Sequence, residues 1–272
     1  MNKQGLQKKV LQVRDSHGSH RQTYYVKAED PKNLTFRLQQ GHRIRTTTEL
    51  ASPSDRVSIH YGLIFSRKAN QGVDHAMEAI GKVHGVPKDL HKLPVHVVHG
   101  LEGDNGMYTI WGHFEGSKIE ISRYSAGSAS TLAHEYGHFL DHHLFGTGKP
   151  ELKGLATEHR SKELQPLMHA IYRSQAAKNL VAKHEEHGRR GDWKGREVTE
   201  YLLDPAELFA RSYAQWIGVR ASPQIHRENM VYKEHWQRRG YDAQWDDADF
   251  EPIAREFDRL FQNRRLLRKR TA

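Results

Sequence analysis

The chain has 272 residues, with 42 Lys and Arg against 33 Asp and Glu, a net charge of +9 before any histidine is counted. That length supports one or two domains with a core that needs no covalent staples, while no run approaches the ~18–20 apolar residues of a membrane helix, which excludes that class. The absence of cysteine excludes disulfides, thiol nucleophiles and thiolate zinc sites together, leaving 20 histidines as transition-metal ligands.

The first ten residues lack the apolar stretch of a signal peptide, so the expectation is a cytoplasmic protein. Residues 1–60 read as a polar extension with two strand-like pieces, 10–13 and 23–27, suited to a hairpin. In 74–83, Ala76, Met77, Ala79, Ile80 and Val83 recur at helical spacing, and Gly85 and Pro87 end the run. Leu93–Val98 is a valine-rich strand. Two more strands, 106–111 and 117–122, flank a Gly-containing turn. The second alternates Ile119 and Ile121 with polar neighbours, as an edge strand does. The period then changes from 2 to 3.6. A Ser/Gly-rich approach offers Ser128 or Ser130 as N-cap for a helix over 131–145. Further helices are predicted over 162–183, 205–217, 225–238 and 252–267, the last with Pro252 at its first position. The fold class is α+β with a helical second half, divided at 60 and 220 into an extension, a main domain and a C-terminal helical piece.

The chemistry concentrates in His134-Glu135-Tyr136-Gly137-His138, an HExxH sequence. Histidines four apart lie one turn above each other, so both imidazoles can reach one Zn²⁺. Glu135 lies ~100° round the helix, where a carboxylate can take a proton from a water activated by the metal. Leu132, Ala133, Tyr136, Phe139, Leu140 and Leu144 form the opposite, apolar face. A catalytic zinc usually takes three protein ligands. His142 is one turn too far along and His143 points away, which leaves Glu207, opening the helix Asp204-Pro205-Ala206-Glu207, as the stronger candidate. Glu207 also fits a capping box with Asp204, or a pair with Arg211. Asp141 reads either as an acceptor for a ligand imidazole N–H or as a surface aspartate. Tyr201 reads either as a donor to a developing oxyanion or as a packed core residue. The basic run Arg264-Arg265 with Arg268-Lys269-Arg270 reads as a solvated helix end, with polyanion or nucleic-acid contact through the basic surface as the functional counterpart.

Together, 126–141 and Pro205-Ala206-Glu207-Leu208-Phe209-Ala210-Arg211 resemble the zincin-like metallopeptidase domain of phage and conjugative-element polyvalent proteins, the large polyvalent protein-associated domain of the first class. More distantly they resemble the gluzincin catalytic domain of anthrax lethal factor, where a tyrosine precedes the glutamate ligand by seven residues. Tyr201 precedes Glu207 by six. The resemblance covers roughly residues 60–220. It implies a small mixed sheet, one zinc per chain held by His134, His138 and Glu207, Glu135 as base, and a protein or peptide substrate. The other function classes are a nucleic-acid-associated protein or a structural phage or conjugation component that keeps the zincin fold. An intact Glu135 argues against a pure scaffold. From 117–122 a cleft-edge strand is expected, with 124–130 at the rim.

Overall fold

The computed structural model describes residues 6–15, 18–27, 50–61, 67–99, 101, 106–111, 116–125, 127–146, 154–158 and 161–268. The chain divides into two units, residues 1–48 and 49–272. In the first, β1 (Leu6–Asp15) and β2 (Gly18–Lys27) pair antiparallel, Leu6 opposite Lys27 and Asp15 opposite Gly18. The predicted hairpin therefore forms from strands longer than the apolar pieces that signal it.

The second unit is mixed α and β, and the 221–268 segment belongs to its core. A short pair, β3 (Leu50–Ala51) with β5 (Val86–Pro87), lies beside the main sheet elements. That sheet has the order β4 (Val57–Tyr61), β6 (Leu93–Val98), β8 (Gly116–Ser122), β7 (Gly106–Trp111). The first three run parallel and β7 is antiparallel to β8. The expectation of an edge strand at 117–122 is thus corrected: β8 is paired on both sides, and β7 is the edge. Half-buried Lys118 and Glu120, which pair with each other at 2.8 Å, alternate with buried Ser117, Ile119 and Ile121, a pattern that an inner strand shares with an edge.

The covered face packs on α1 (Arg67–Val83), through Val73, Ala76, Ile80 and Val83, and on α2 (Ser128–Leu140), the motif helix. The N-cap of α2 is Gly127, which has no side chain to offer, and neither Ser128 nor Ser130 caps it. Instead Glu228 reaches across and accepts from Ser130 N at 2.8 Å, so a negative charge meets the positive end of the helix from another element. After Leu140 the helix widens into a π turn, Asp141–Phe145.

The predicted helix over 162–183 is two helices, α3 (Gln165–Arg173) and α4 (Gln175–Arg190). Ser174 breaks them. It is extended, accepts from Ala177 N at 3.2 Å, and receives the Trp245 indole N–H at 2.9 Å. Next comes α5 (Trp193–Leu203), a mostly polar helix whose apolar residues, Val198, Leu202 and Leu203, are confined to its second half, a weak sequence signal. Asp204 then ends α5 and caps α6 (Pro205–Ala221), accepting from Ala206 N at 2.8 Å and Glu207 N at 3.3 Å. The central α6 is buried almost throughout, with Phe209, Tyr213 and Trp216 packed against Phe257 and Phe261. Following α7 (Pro223–Gln237), α8 (Asp247–Asn263) begins five residues before Pro252, which lies inside it. Asp249, in its first turn, caps α4 through Gln175 N and Ala176 N.

At the basic end Arg265 and Arg268 are exposed, and only the Arg264 side chain is drawn into contacts. Arg264 holds Glu163 through two 2.6 Å bonds and donates to Leu144 O at 2.8 Å. Lys269 and Arg270 lie outside the described residues.

Candidate metal centre

Two helices build the centre. On α2, Leu132, Ala133, Tyr136, Phe139 and Leu140 are fully buried, which fixes the rotation of the helix and turns His134 and His138 to the other side. Gly137 lets α6 approach closely. A Cβ there would lie 2.9 Å from Ala210 Cα and 3.3 Å from Tyr213 Cδ1. That contact brings the first turn of α6, with Glu207, over the two histidines.

His134 Nε2 and His138 Nε2 are 3.2 Å apart, their rings nearly perpendicular at 87°. The Glu207 carboxylate faces both, Oε2 3.4 Å from His134 Nε2 and Oε1 3.2 Å from His138 Nε2. A tetrahedral ion with bonds of ~2.0–2.1 Å spaces its ligand atoms by about 3.3 Å. Glu207 Oε2 is buried and makes no hydrogen bond. The three side chains form a group able to hold a metal ion.

The electrostatics fit that donor set. Burial would raise the Glu207 pKa, but the two imidazoles outweigh it and hold the carboxyl well below the usual range. Burial would lower His138, but the Glu207 hydrogen bond and charge lift it above its ordinary value. Glu207 is thus held as a carboxylate rather than a neutral acid, while His138 favours a proton that must leave before its imidazole can bind a metal.

The centre forms one wall of a cavity of about 670 Å³, lined also by Gly106, Met107, Glu135, Leu155 and Tyr201. Glu135 is buried to 7% exposure. Gly106, at the start of β7, runs so close to α2 that a Cβ would lie 2.4 Å from Thr131 Cγ2 and 3.3 Å from Glu135 Cγ. The edge strand therefore begins beside the candidate base. Tyr201 leaves 48% of its surface open and lines the same cavity as Glu207. Burial first, and the Glu207 charge second, raise its pKa, so it stays protonated.

The other sequence candidates fall elsewhere. Asp141 is neither a surface residue nor seen bonded to a ligand imidazole. It is fully buried and accepts from Thr157 N at 3.0 Å and Thr157 Oγ1 at 2.5 Å, which ties the 154–158 segment to the end of α2. Burial pushes its carboxyl up to about 6. His142 and His143 lie outside the triad, His142 Nδ1 3.1 Å from His143 Nε2. Arg211 does not pair with the Glu207 carboxylate. It bonds backbone carbonyls of Leu202, Ala243 and Glu207. Among the described residues of 124–130 none lines the cavity, whose wall includes Gly106 and Met107 of β7 and Leu155 and Glu158. Sequence reasoning missed Gly106, Met107, Leu155, Glu158 and Glu200 in that wall, since only the tertiary fold brings them there. Gly137 was readable inside the motif as a close-approach glycine.

Compared with known proteins, the chain matches no family model, no curated protein and no solved structure. Among the described residues, no helix is long and apolar enough to cross a membrane.

Proposed function

We propose that the protein is a zinc-dependent peptidase of zincin-like fold. One observation carries the reading: two imidazoles four residues apart and a carboxylate from a second helix converge within ligand spacing, with Glu135 buried beside them in one cavity. Zinc, held by His134, His138 and Glu207, supplies Lewis acidity toward a carbonyl and a water when it is bound. The oxygen-and-nitrogen donor set, with no thiolate, suits a catalytic rather than a structural zinc.

Glu135 does the proton work. It takes a proton from the attacking water and delivers it to the departing amine as the C–N bond breaks, so water is consumed and an amine and a carboxylate result. Its low exposure keeps bulk water from competing for that proton. Tyr201, protonated and in the wall of the same cavity, would donate to the oxygen that gains negative charge. The β7 edge offers backbone groups to an extended substrate, which would add as a further strand. The resemblance to the zincin domains of polyvalent proteins is the ground for assigning the enzyme to a phage or mobile-element setting.

Glu135→Gln preserves size and removes the base. Hydrolysis of a validated substrate is expected to fall ~10²–10⁴-fold while zinc content stays at wild-type level. Wild-type turnover by the variant would remove Glu135 from the chemistry.

A further inference from the structure

Two helices of the second unit end alike. α4 closes on Arg189-Arg190-Gly191, and α7 runs into Arg238-Arg239-Gly240, with both glycines left-handed at φ 68° and 85°. Each turn continues into an aspartate and an aromatic residue, Asp192-Trp193 in the first and Tyr241-Asp242 in the second. The fold sets the two turns side by side. His187, in the last turn of α4, has its ring 6.0 Å from that of Tyr241, whose hydroxyl lies 3.3 Å from His187 Nε2. Asn179 of α4 donates to Asp242 at 2.7 Å. The exposed arginines of both turns are thereby gathered on one surface.

A helix dipole favours cations in a last turn, which accounts for either arginine pair taken alone. It does not account for placing the two pairs together, where like charges repel. Nor do the nearby carboxylates neutralise them. Asp192 accepts from Gly195 N at 3.1 Å and lies 2.7 Å from His187 Nδ1, while Asp242 is taken by Asn179 and Gln237. Glu186 is shared between Arg190 and Lys183. Glu185 reaches Arg189 only at 3.9 Å, in a solvated and therefore weak pair. Among the described residues, Lys194, Arg238 and Arg239 enter no ion pair. By contrast, Arg220 and Arg264 are held by Asp258 and Glu163.

Trp193 is a second, separate observation. It opens α5 with 66% of its surface exposed, whereas Trp216 and Trp245 are buried. Lys194 Nζ lies 5.4 Å from the centre of its ring. An indole left open beside unpaired cations packs nothing. It offers a flat face for stacking, next to guanidinium forks suited to phosphate.

We propose that the paired Arg-Arg-Gly turns and Trp193 bind a single strand of nucleic acid, the arginines taking phosphates and the indole stacking on an unpaired base. A duplex hides its base faces, and an anionic bilayer offers the indole no ring to stack on. The surface shares no residue with the metal centre, so the proposal is independent of the peptidase reading.

The test is fluorescence anisotropy of labelled oligothymidine, about 20 nucleotides long, with full-length, zinc-loaded protein from ~50 mM salt upward. Affinity should fall with salt at a logarithmic slope of about −2 to −3, as ~3–4 phosphate contacts require. Arg189→Gln/Arg190→Gln and Arg238→Gln/Arg239→Gln should each weaken binding at least about tenfold and flatten the slope by about one. Trp193→Ala should weaken it about five- to a hundredfold and leave the slope unchanged. Arg255→Gln/Arg259→Gln removes the same charge from exposed positions on α8 and should stay within about twofold of wild type. Absence of binding at ~50 mM salt, or equal weakening by the α8 pair, would overturn the proposal. So would duplex binding that Trp193→Ala leaves untouched, or capture of phosphatidylserine vesicles without the oligonucleotide. His138→Ala should bind the strand as wild type does, and loss of binding there would move the contact to the metal centre and end the assignment.

Discussion

Two groups of histidines lie on consecutive turns of one helix and its π extension, and they have opposite fates. His134 and His138 turn their Nε2 atoms together beneath the Glu207 carboxylate. His142 and His143, one turn on, pack as aromatic rings: His143 stacks on His91 at 4.7 Å and 8°, meets His142 edge-on, and has Ser117 Oγ 3.1 Å from its Nε2. Burial, then the neighbouring histidines, push His143 down to about 3. His138 is as enclosed, yet Glu207 lifts it. The difference is the carboxylate. An anion from a second element is what turns paired imidazoles into a set of metal ligands, and among the described residues only the first group qualifies.

That contrast can be broken at its hinge. Glu207→Ala should make the first group resemble the second, two imidazoles without an anion, and weaken zinc binding at least about tenfold in competition with a chromophoric chelator. Circular dichroism should stay native-like, because the Asp204 cap and the apolar face of α6 do not depend on the Glu207 side chain. Unchanged affinity would return Glu207 to a helix-start role.

A smaller effect sharpens the comparison at the residue between the groups. Asp141 has its pKa raised from 3.8 to about 6 by burial. The folded state therefore binds a proton more readily than the unfolded chain. Its contribution is fully present below about pH 4 and is lost as pH rises through 6, on the order of 2–3 kcal/mol in all. Asp141→Asn keeps an acceptor for Thr157 N and removes the titration. With zinc chelated from both proteins, urea unfolding should show wild type losing stability relative to the variant between pH 4 and 7. Parallel profiles would mean that Asp141 does not titrate in that window.

Much of the centre was legible because local rules and the tertiary fold agree there. Spacing set His134 and His138 on one face, and the six apolar residues of the motif segment fixed which face turned inward. Glu207 announced itself through Asp204 and Pro205, a strong helix start. The same residues offered a capping reading, and the approach of α6 across Gly137 is what sets the Glu207 carboxylate against the two imidazoles. Elements with weak local signals were lost. The mostly polar helix α5 has only a short apolar stretch, Val198, Leu202 and Leu203, so Tyr201 had little visible platform. Ser174 split one predicted helix because a buried indole needed its hydroxyl. The alternation in β8 reported one face more buried than the other, and strand order cannot be read from that pattern. Glu158, Glu200 and Gly106 reach the cavity from three separate segments, a placement that no local window encodes.

The contrast between the two histidine groups is tested most directly by elemental analysis of three purified proteins: wild type, His138→Ala and His143→Ala. The account predicts about one zinc per chain in wild type, loss of it in His138→Ala, and retention in His143→Ala. Full zinc in His138→Ala, or its loss only in His143→Ala, would place the metal with the stacked rings and contradict the assignment of His134, His138 and Glu207.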